Sequence, residues 1–330
     1  MFYFMISIGL VTAYIAGMHD GGTIMATAVS SRLFSARKAV LLAGLANFCG
    51  AVLLGTAVAY TISGDIIDVT PVLGGSKDMC YTFAAAAFAG AITWNLITWK
   101  LKLPSSSSHT LIGAMIGSGI AAYGMAYIKW HLILIKVILA MIISPALGFG
   151  LGYLFLMLEK RILQNGTIVW NRRINLLSKI SSFLVAFSYG SNNSQKVMGV
   201  MAIGLAGFYG RDVFVPAWVV LSCATALGVG TVTGGYNMIK TVGMDICKID
   251  SQNSFASQLS TISVVMGANV TGLPISVPQV ITGSVMGVGT EKTPKAVNWA
   301  VSKKIIVAWI ITIPLSALIG AAVYFLLRLL

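Results

Sequence analysis

The chain has 330 residues, of which 57% are hydrophobic and only 9% charged, with 35 glycines and a formal net charge of +13. Water-soluble domains carry roughly a quarter charged residues, so this composition excludes an ordinary soluble globule. Apolar runs close to the ~20 residues that cross a bilayer core recur along the whole chain, at 39–62, 81–99, 132–158, 213–235 and 305–327. The expected class is an all-α polytopic membrane protein, because a transmembrane barrel would show short alternating segments instead.

In chain order, the first segment lacks the basic start and small-residue cleavage site of a signal peptide and is read as a retained helix. It contains "GMHDGGT" from Gly17, with Asp20 beside His19. An ionised carboxylate at a helix centre costs about 3 kcal/mol on insertion scales, so Asp20 requires a partner, a cation or a proton. The alternative is a late-starting helix that leaves Asp20 in a loop. The pair Gly21 and Gly22 predicts a broken helix whose free carbonyls join the carboxylate around a cation. Next comes "PSSSSHTLIGAMIGSG" from Pro104. Proline suits a first helical turn, serine hydroxyls cap the free amides there, and such an N-terminus favours an oxyanion. Four serines exceed what one cap needs, although an ordinary interfacial serine turn is the plainer reading. His109 is either a titrating group or a hydrogen-bonded structural histidine.

A basic stretch at 159–179 separates two halves, expected as a first repeat at 1–158 and a second at 180–330. The second half opens with "AFSYGSNNSQKVMGV" at 186–200, where Asn193 takes the place of Asp20 and Lys196 adds a cation. Asp20 and an anion ~4 Å apart would repel by about 4 kcal/mol at an effective dielectric of 20, so a cation must offset them. Lys196 either supplies that charge from a hydrated cavity between half-helices or snorkels to an interface. "PISVPQVITGSVMGVG" then follows from Pro274 and matches the Pro104 element at 170 residues' separation, just as Gly190 matches Gly17 at 173. Five crossings per half would place the second half upside down, the inverted-repeat plan of secondary transporters.

Lys and Arg cluster in alternate loops, from Arg32, Arg37 and Lys38 through Lys100 and Lys102 to Lys240 and Lys248, whereas Asp65, Asp68, Asp78, Arg211 and Asp212 mark the others. This positive-inside pattern puts the basic loops in the cytoplasm and both termini outside. The charge therefore reports topology and anionic lipid contact, not nucleic acid. The four cysteines show no metal or redox spacing and read as buried thiols.

These motifs resemble the PiT family of inorganic phosphate transporters, whose two halves carry an inverted GANDxAN and FSHGANDAQK signature, each followed by a Pro-x-Ser-Thr-Thr-His element. "GMHDGGT" matches at Gly17 and Asp20, and "FSYGSNNSQKVMG" at Phe187, Ser188, Gly190, Asn192, Gln195 and Lys196. The two later elements match at Pro104, Ser106 and His109, and at Pro274 and Ser276. The resemblance implies about 10–12 membrane segments including re-entrant hairpins, dimeric assembly, and phosphate uptake across the cytoplasmic membrane by symport with sodium or protons. By motif correspondence it implies substrate contacts from Asp20, Ser106, Ser107, Ser108, Asn193, Ser276 and Lys196. His19, Asp20, Thr23 and Asn192 would handle the coupling ion, with sodium at Asp20 and Asn192; no organic cofactor is expected.

The chain departs from the family pattern at His19 and Thr23, at Asn193 in place of the second aspartate, and at Val277, Pro278 and Gln279 in place of Thr-Thr-His. These changes suggest a proton on His19 and Asp20 instead of one sodium, or a related oxyanion such as sulfate. Two other classes are weaker. "TVGMD" at Thr241 occurs once, unlike a channel filter, and Ser118 with His109 is a poor match to a protease dyad.

Overall fold

The computed structural model describes residues 1–68, 77–101, 103, 105–164, 168–210, 212–234, 239 and 241–329; Lys102, Pro104, Arg211, Gly235 and Lys240 lie outside the described residues. Among the described residues the fold is helical throughout, without a strand. The helices are α1 (Phe2–Ser30), α2 (Ala36–Leu53), α3 (Ala57–Asp65), α4 (Lys77–Lys100), α5 (Ser107–Tyr123), α6 (Trp130–Ile162), α7 (Ile168–Tyr209), α8 (Ala217–Gly234), α9 (Ser251–Thr271), α10 (Val277–Lys292) and α11 (Trp299–Arg328). Six of them, α1, α2, α4, α6, α8 and α11, are long and apolar enough to cross a membrane. Helices α5 and α10 are shorter, at 17 and 16 residues. Helix α7 reaches 42 residues, and its middle is strongly polar.

Three sequence expectations change. Asp20 and Gly21–Gly22 lie inside an unbroken α1, and the polar stretch 186–200 lies inside an unbroken α7. Glycine costs about 1 kcal/mol relative to alanine in a helix interior, yet both glycines remain helical and buried. The chain breaks instead between α4 and α5 and between α9 and α10, where helix N-termini point inward. The apolar run 39–62 is not one crossing; it stops at Leu53 and restarts at Ala57 through Gly55, whose φ of 78° an L side chain rarely adopts. The expected loop 159–179 is mostly helix, divided between the end of α6 and the first turns of α7.

Matched segments repeat the same local geometry. Before α5, the Leu103 amide donates to Thr98 O (2.9 Å) and the Ser105 amide to Leu103 O (2.8 Å). Before α10, the Leu273 amide donates to Ala268 O (2.8 Å) and the Ile275 amide to Leu273 O (2.9 Å). Packing is exchanged in the same way: α1 lies along α8 as α7 lies along α2, and α5 lies along α11 as α10 lies along α6. Glycines set these contacts. Gly17 abuts the backbone of Leu227, and Gly190 that of Asn47. Gly113 and Gly117 abut Ile313 and Ala317, while Gly283 and Gly287 abut Pro145 and Phe149. Small residues of this kind let membrane helices approach backbone to backbone. Cys80, Cys223 and Cys247 are buried free thiols, and Cys49 is half-buried.

A Cβ on Gly117 would overlap the Ala317 carbonyl, whereas one on Gly150 of α6 meets nothing within 4 Å. Gly117→Ala is therefore expected to lower unfolding stability in detergent by about 1–3 kcal/mol. Gly150→Ala leaves it unchanged or slightly raised, and a thermal unfolding comparison of the two variants checks the difference.

Candidate functional site

The polar centre forms where α1, α5 and α7 meet the turn before α10. Helical spacing places Tyr189, Asn193 and Lys196 on one face of α7, since positions three and four apart are neighbours. Ser106 caps α5 by accepting from the His109 amide at 3.2 Å, which turns Ser107 and Ser108 inward on the first turn. Asp20 and Lys196 are each 1% exposed.

A continuous chain of hydrogen bonds joins cation to carboxylate. Lys196 Nζ donates to Ser108 Oγ (2.6 Å), to the Ile275 carbonyl (2.7 Å) and, more distantly, to Asn193 Oδ1 (3.4 Å). The three acceptors match the three protons of an ammonium group. Lys196 thus reaches both inward-pointing turns and does not snorkel. Ser108 donates to Asn193 Oδ1 at 3.0 Å, and the Asn193 amide donates to Ser107 Oγ (3.2 Å) and Tyr189 Oη (2.7 Å). Ser107 and Tyr189 both donate to Asp20 Oδ2, at 2.5 and 3.3 Å. Asp20 Oδ1 accepts from His19 Nδ1 at 2.8 Å. His19 Nε2 lies 3.1 Å from Thr98 Oγ1 and 3.3 Å from Ser105 Oγ. Hydroxyls donate or accept, so the imidazole can gain or lose a proton without losing either partner.

Asp20, His19, Ser107, Ser108, Asn193 and Lys196 therefore converge, as the sequence predicts. Asn192 belongs to a separate network, donating to Asn269 Oδ1 (2.7 Å) and the Leu273 carbonyl (3.2 Å), neither of which bonds to Asp20. Thr23 is buried one turn beyond Asp20 and joins none of these bonds among the described residues. Ser276 is fully buried at the start of α10, its hydroxyl without a partner among the described residues. Ser118 donates to the Met115 carbonyl, while His109 Nδ1 receives the Gln279 amide at 3.2 Å, so no protease dyad forms. Groups of three or more His, Cys, Asp or Glu able to hold a metal are absent among the described residues.

Sequence reasoning includes Ser105 in the serine run but does not name Tyr189, Thr98 or Asn95 as site members. Asn95 and Lys196 line, with Thr12, Ser107, Ser108 and Asn193, a cavity of about 10 Å³. The Asn95 carbonyl oxygen is buried without a partner among the described residues. It also misses α9, whose Ser254, Gln258, Thr261 and Asn269 recur at helical spacing and are all buried. That periodicity is the signal by which the sequence could reveal them.

Long apolar helices around a buried, hydroxyl-lined cation define a multi-pass membrane protein with an internal polar site. The model of the Phosphate transporter family matches residues 16–320. A "Probable low-affinity inorganic phosphate transporter" of Bacillus subtilis (strain 168) is 38% identical over 96% of this chain and 94% of its own length. A protein with the same description from Rhizobium meliloti (strain 1021) is 35% identical over 97% and 95%. The solved structure titled "The sodium-dependent phosphate transporter" superposes with a TM-score of 0.89 at 25% identity, covering 100% of this chain and 99% of that one. The chain belongs to the Phosphate transporter family, a family of transporters and not of enzymes.

Tyr189→Phe removes the hydroxyl that links Asp20 to the Asn193 amide and keeps the ring's volume. The variant is expected to lose about 1–3 kcal/mol of stability, the cost of leaving buried polar groups unpaired. Chemical denaturation of the detergent-solubilised protein measures it.

Proposed function

We propose that the protein is a secondary transporter of inorganic phosphate across the cytoplasmic membrane, working by alternating access between two inverted halves. The observation that carries this reading is the buried Lys196 ammonium, which bonds to Ser108 in the first turn of α5 and to Ile275 just before α10. Two helix N-termini and one ammonium then face a single carboxylate, Asp20, which is itself held by His19. This excess of positive potential suits an oxyanion. Family membership and the named relatives support phosphate as that oxyanion.

In this reading the hydroxyls of Ser107, Ser108 and Ser276, the amide of Asn193 and the ammonium of Lys196 replace the anion's water shell. Ser106 holds the α5 N-terminus in place for them. The cavity of about 10 Å³ admits roughly one water-sized sphere. A tetrahedral anion therefore enters only when the tips of α5 and α10 separate, and alternation consists of opening that junction to one side and then the other. The exchanged packing of the helices supports the inverted halves, and the basic clusters support termini outside the cytoplasm.

The coupling ion is a proton shared by His19 and Asp20. Asn193 removes the carboxylate that a second cation would use, Lys196 already supplies a fixed charge nearby, and the His19 ring is hydrogen-bonded at both nitrogens. A second reading, sodium held by Asp20 with Asn192 or Thr23 nearby, is favoured by the likeness to a structure titled as sodium-dependent.

Uptake of labelled phosphate into proteoliposomes, with proton and sodium gradients imposed separately, tests both readings. Proton-driven phosphate accumulation is expected, with sulfate a poor competitor. Accumulation under a sodium gradient alone overturns the proton assignment, and sulfate uptake unaffected by phosphate overturns the substrate. Asp20→Asn is expected to abolish gradient-driven accumulation. Ser108→Ala is expected to raise KM by about tenfold, in line with loss of one hydrogen bond to a charged group.

A further inference from the structure

Away from the polar centre, a second carboxylate is buried and unanswered. Glu159, in the last turn of α6, is 8% exposed, and neither of its carboxylate oxygens has a hydrogen-bond partner among the described residues. It lines a groove of about 290 Å³ between the end of α6 and the first turns of α7 and α9, walled by Phe155, Leu158, Leu177, Phe255 and Leu259. The nearby ammonium groups are already committed: Lys160 pairs with Glu291, and Lys292 with Asp250 at 2.6 Å. Asp250, which accepts from the Asn253 amide at 2.9 Å, is itself an acceptor and offers Glu159 no donor. An isolated carboxylate in an apolar wall is costly unless hydrogen-bond donors answer it.

The surroundings say what kind of donor fits. Trp170 lines the same groove, and the Arg173 guanidinium lies 5.0 Å from its ring centre. Tryptophan and arginine together mark the headgroup level of a bilayer. Ile174 is shared between the groove and a polar recess lined by Asn171, Asn175, Ser251, Gln252 and Asp250, whose carboxylate is paired with Lys292. The cleft therefore offers an apolar wall for an acyl chain, a buried carboxyl group, and amides beside it, with the Arg173 guanidinium over Trp170. We infer that this groove is a binding site for a phospholipid bearing a primary ammonium, of the phosphatidylethanolamine type. The ammonium donates to Glu159, the phosphate meets Arg173 and the rim amides, and one acyl chain lies along the apolar wall. A trimethylammonium headgroup has no N–H to donate, and a glycerol headgroup offers only neutral O–H donors with no charge to offset the carboxylate, so each answers Glu159 less well.

Native mass spectrometry of the full chain, released from detergent with acyl-matched phosphatidylethanolamine, phosphatidylcholine or phosphatidylglycerol, tests the site. Retention of phosphatidylethanolamine is expected to exceed that of the other two by about tenfold, the effect of a charge-assisted hydrogen bond. Glu159→Gln is expected to erase that margin while leaving general lipid retention unchanged. Equal retention of the three headgroups by the unaltered protein overturns the proposal whether or not the variant folds. An undiminished preference in Glu159→Gln overturns it as well.

Discussion

The arrangement depends on one buried cation. Removing a lysine ammonium from water costs several kcal/mol even after relaxation, so it persists at depth only where good acceptors meet it. Lys196 finds them on three separate pieces of chain: Ser108 on α5, the Ile275 carbonyl before α10, and Asn193 on its own helix. A main-chain carbonyl is free to accept there because the chain is turning and not helical. The requirement of the lysine and the break in the backbone explain each other. Irregular backbone at membrane depth is tolerated where protein or a water-lined cavity satisfies it.

From that cation the asymmetry between the halves follows. At the position where α1 carries Asp20, α7 carries Asn193, and each residue bonds differently. Asp20 only accepts, from His19, Ser107 and Tyr189. Asn193 accepts on one side, from Ser108 and Lys196, and donates on the other, to Ser107 and Tyr189. An amide is the side chain that can pass hydrogen bonds onward from an ammonium to a carboxylate. A second carboxylate in its place would neutralise Lys196 directly and leave Ser107 and Tyr189 with two acceptors to serve. The asparagine therefore keeps the positive charge of Lys196 available to a third party.

Much of this is legible in the amino-acid sequence. Charge poverty and repeated apolar runs define the class, and the matched motifs point to Asp20, the serine run, Asn193 and Lys196, which do come together. Where the helices break is legible only in part: the serine run marks the start of α5, but the continuity of α1 and α7 is not legible there. Gly21 and Gly22 look like a break, yet both are buried inside a continuous α1. The breaks fall at the turns before α5 and α10, where Ser106 caps one helix and Pro278 stands in the first turn of the other. Tyr189 is hidden for another reason. An aromatic residue in an apolar segment reads as core, and its role lies in a hydroxyl whose partners come from α1 and from the next turn of α7.

The two turns also constrain each other. His109 and Gln279 occupy the third position of α5 and of α10, and they are hydrogen-bonded to one another at 3.2 Å. This contact brings the two helix N-termini face to face. Facing N-termini oppose positive partial charges, and Lys196 adds a full charge alongside. The Gln279 amide holds the tips together but carries no charge to relieve that opposition. An oxyanion placed among Ser107, Ser108 and Lys196 would relieve all three positive sources at once, more effectively than any single side chain.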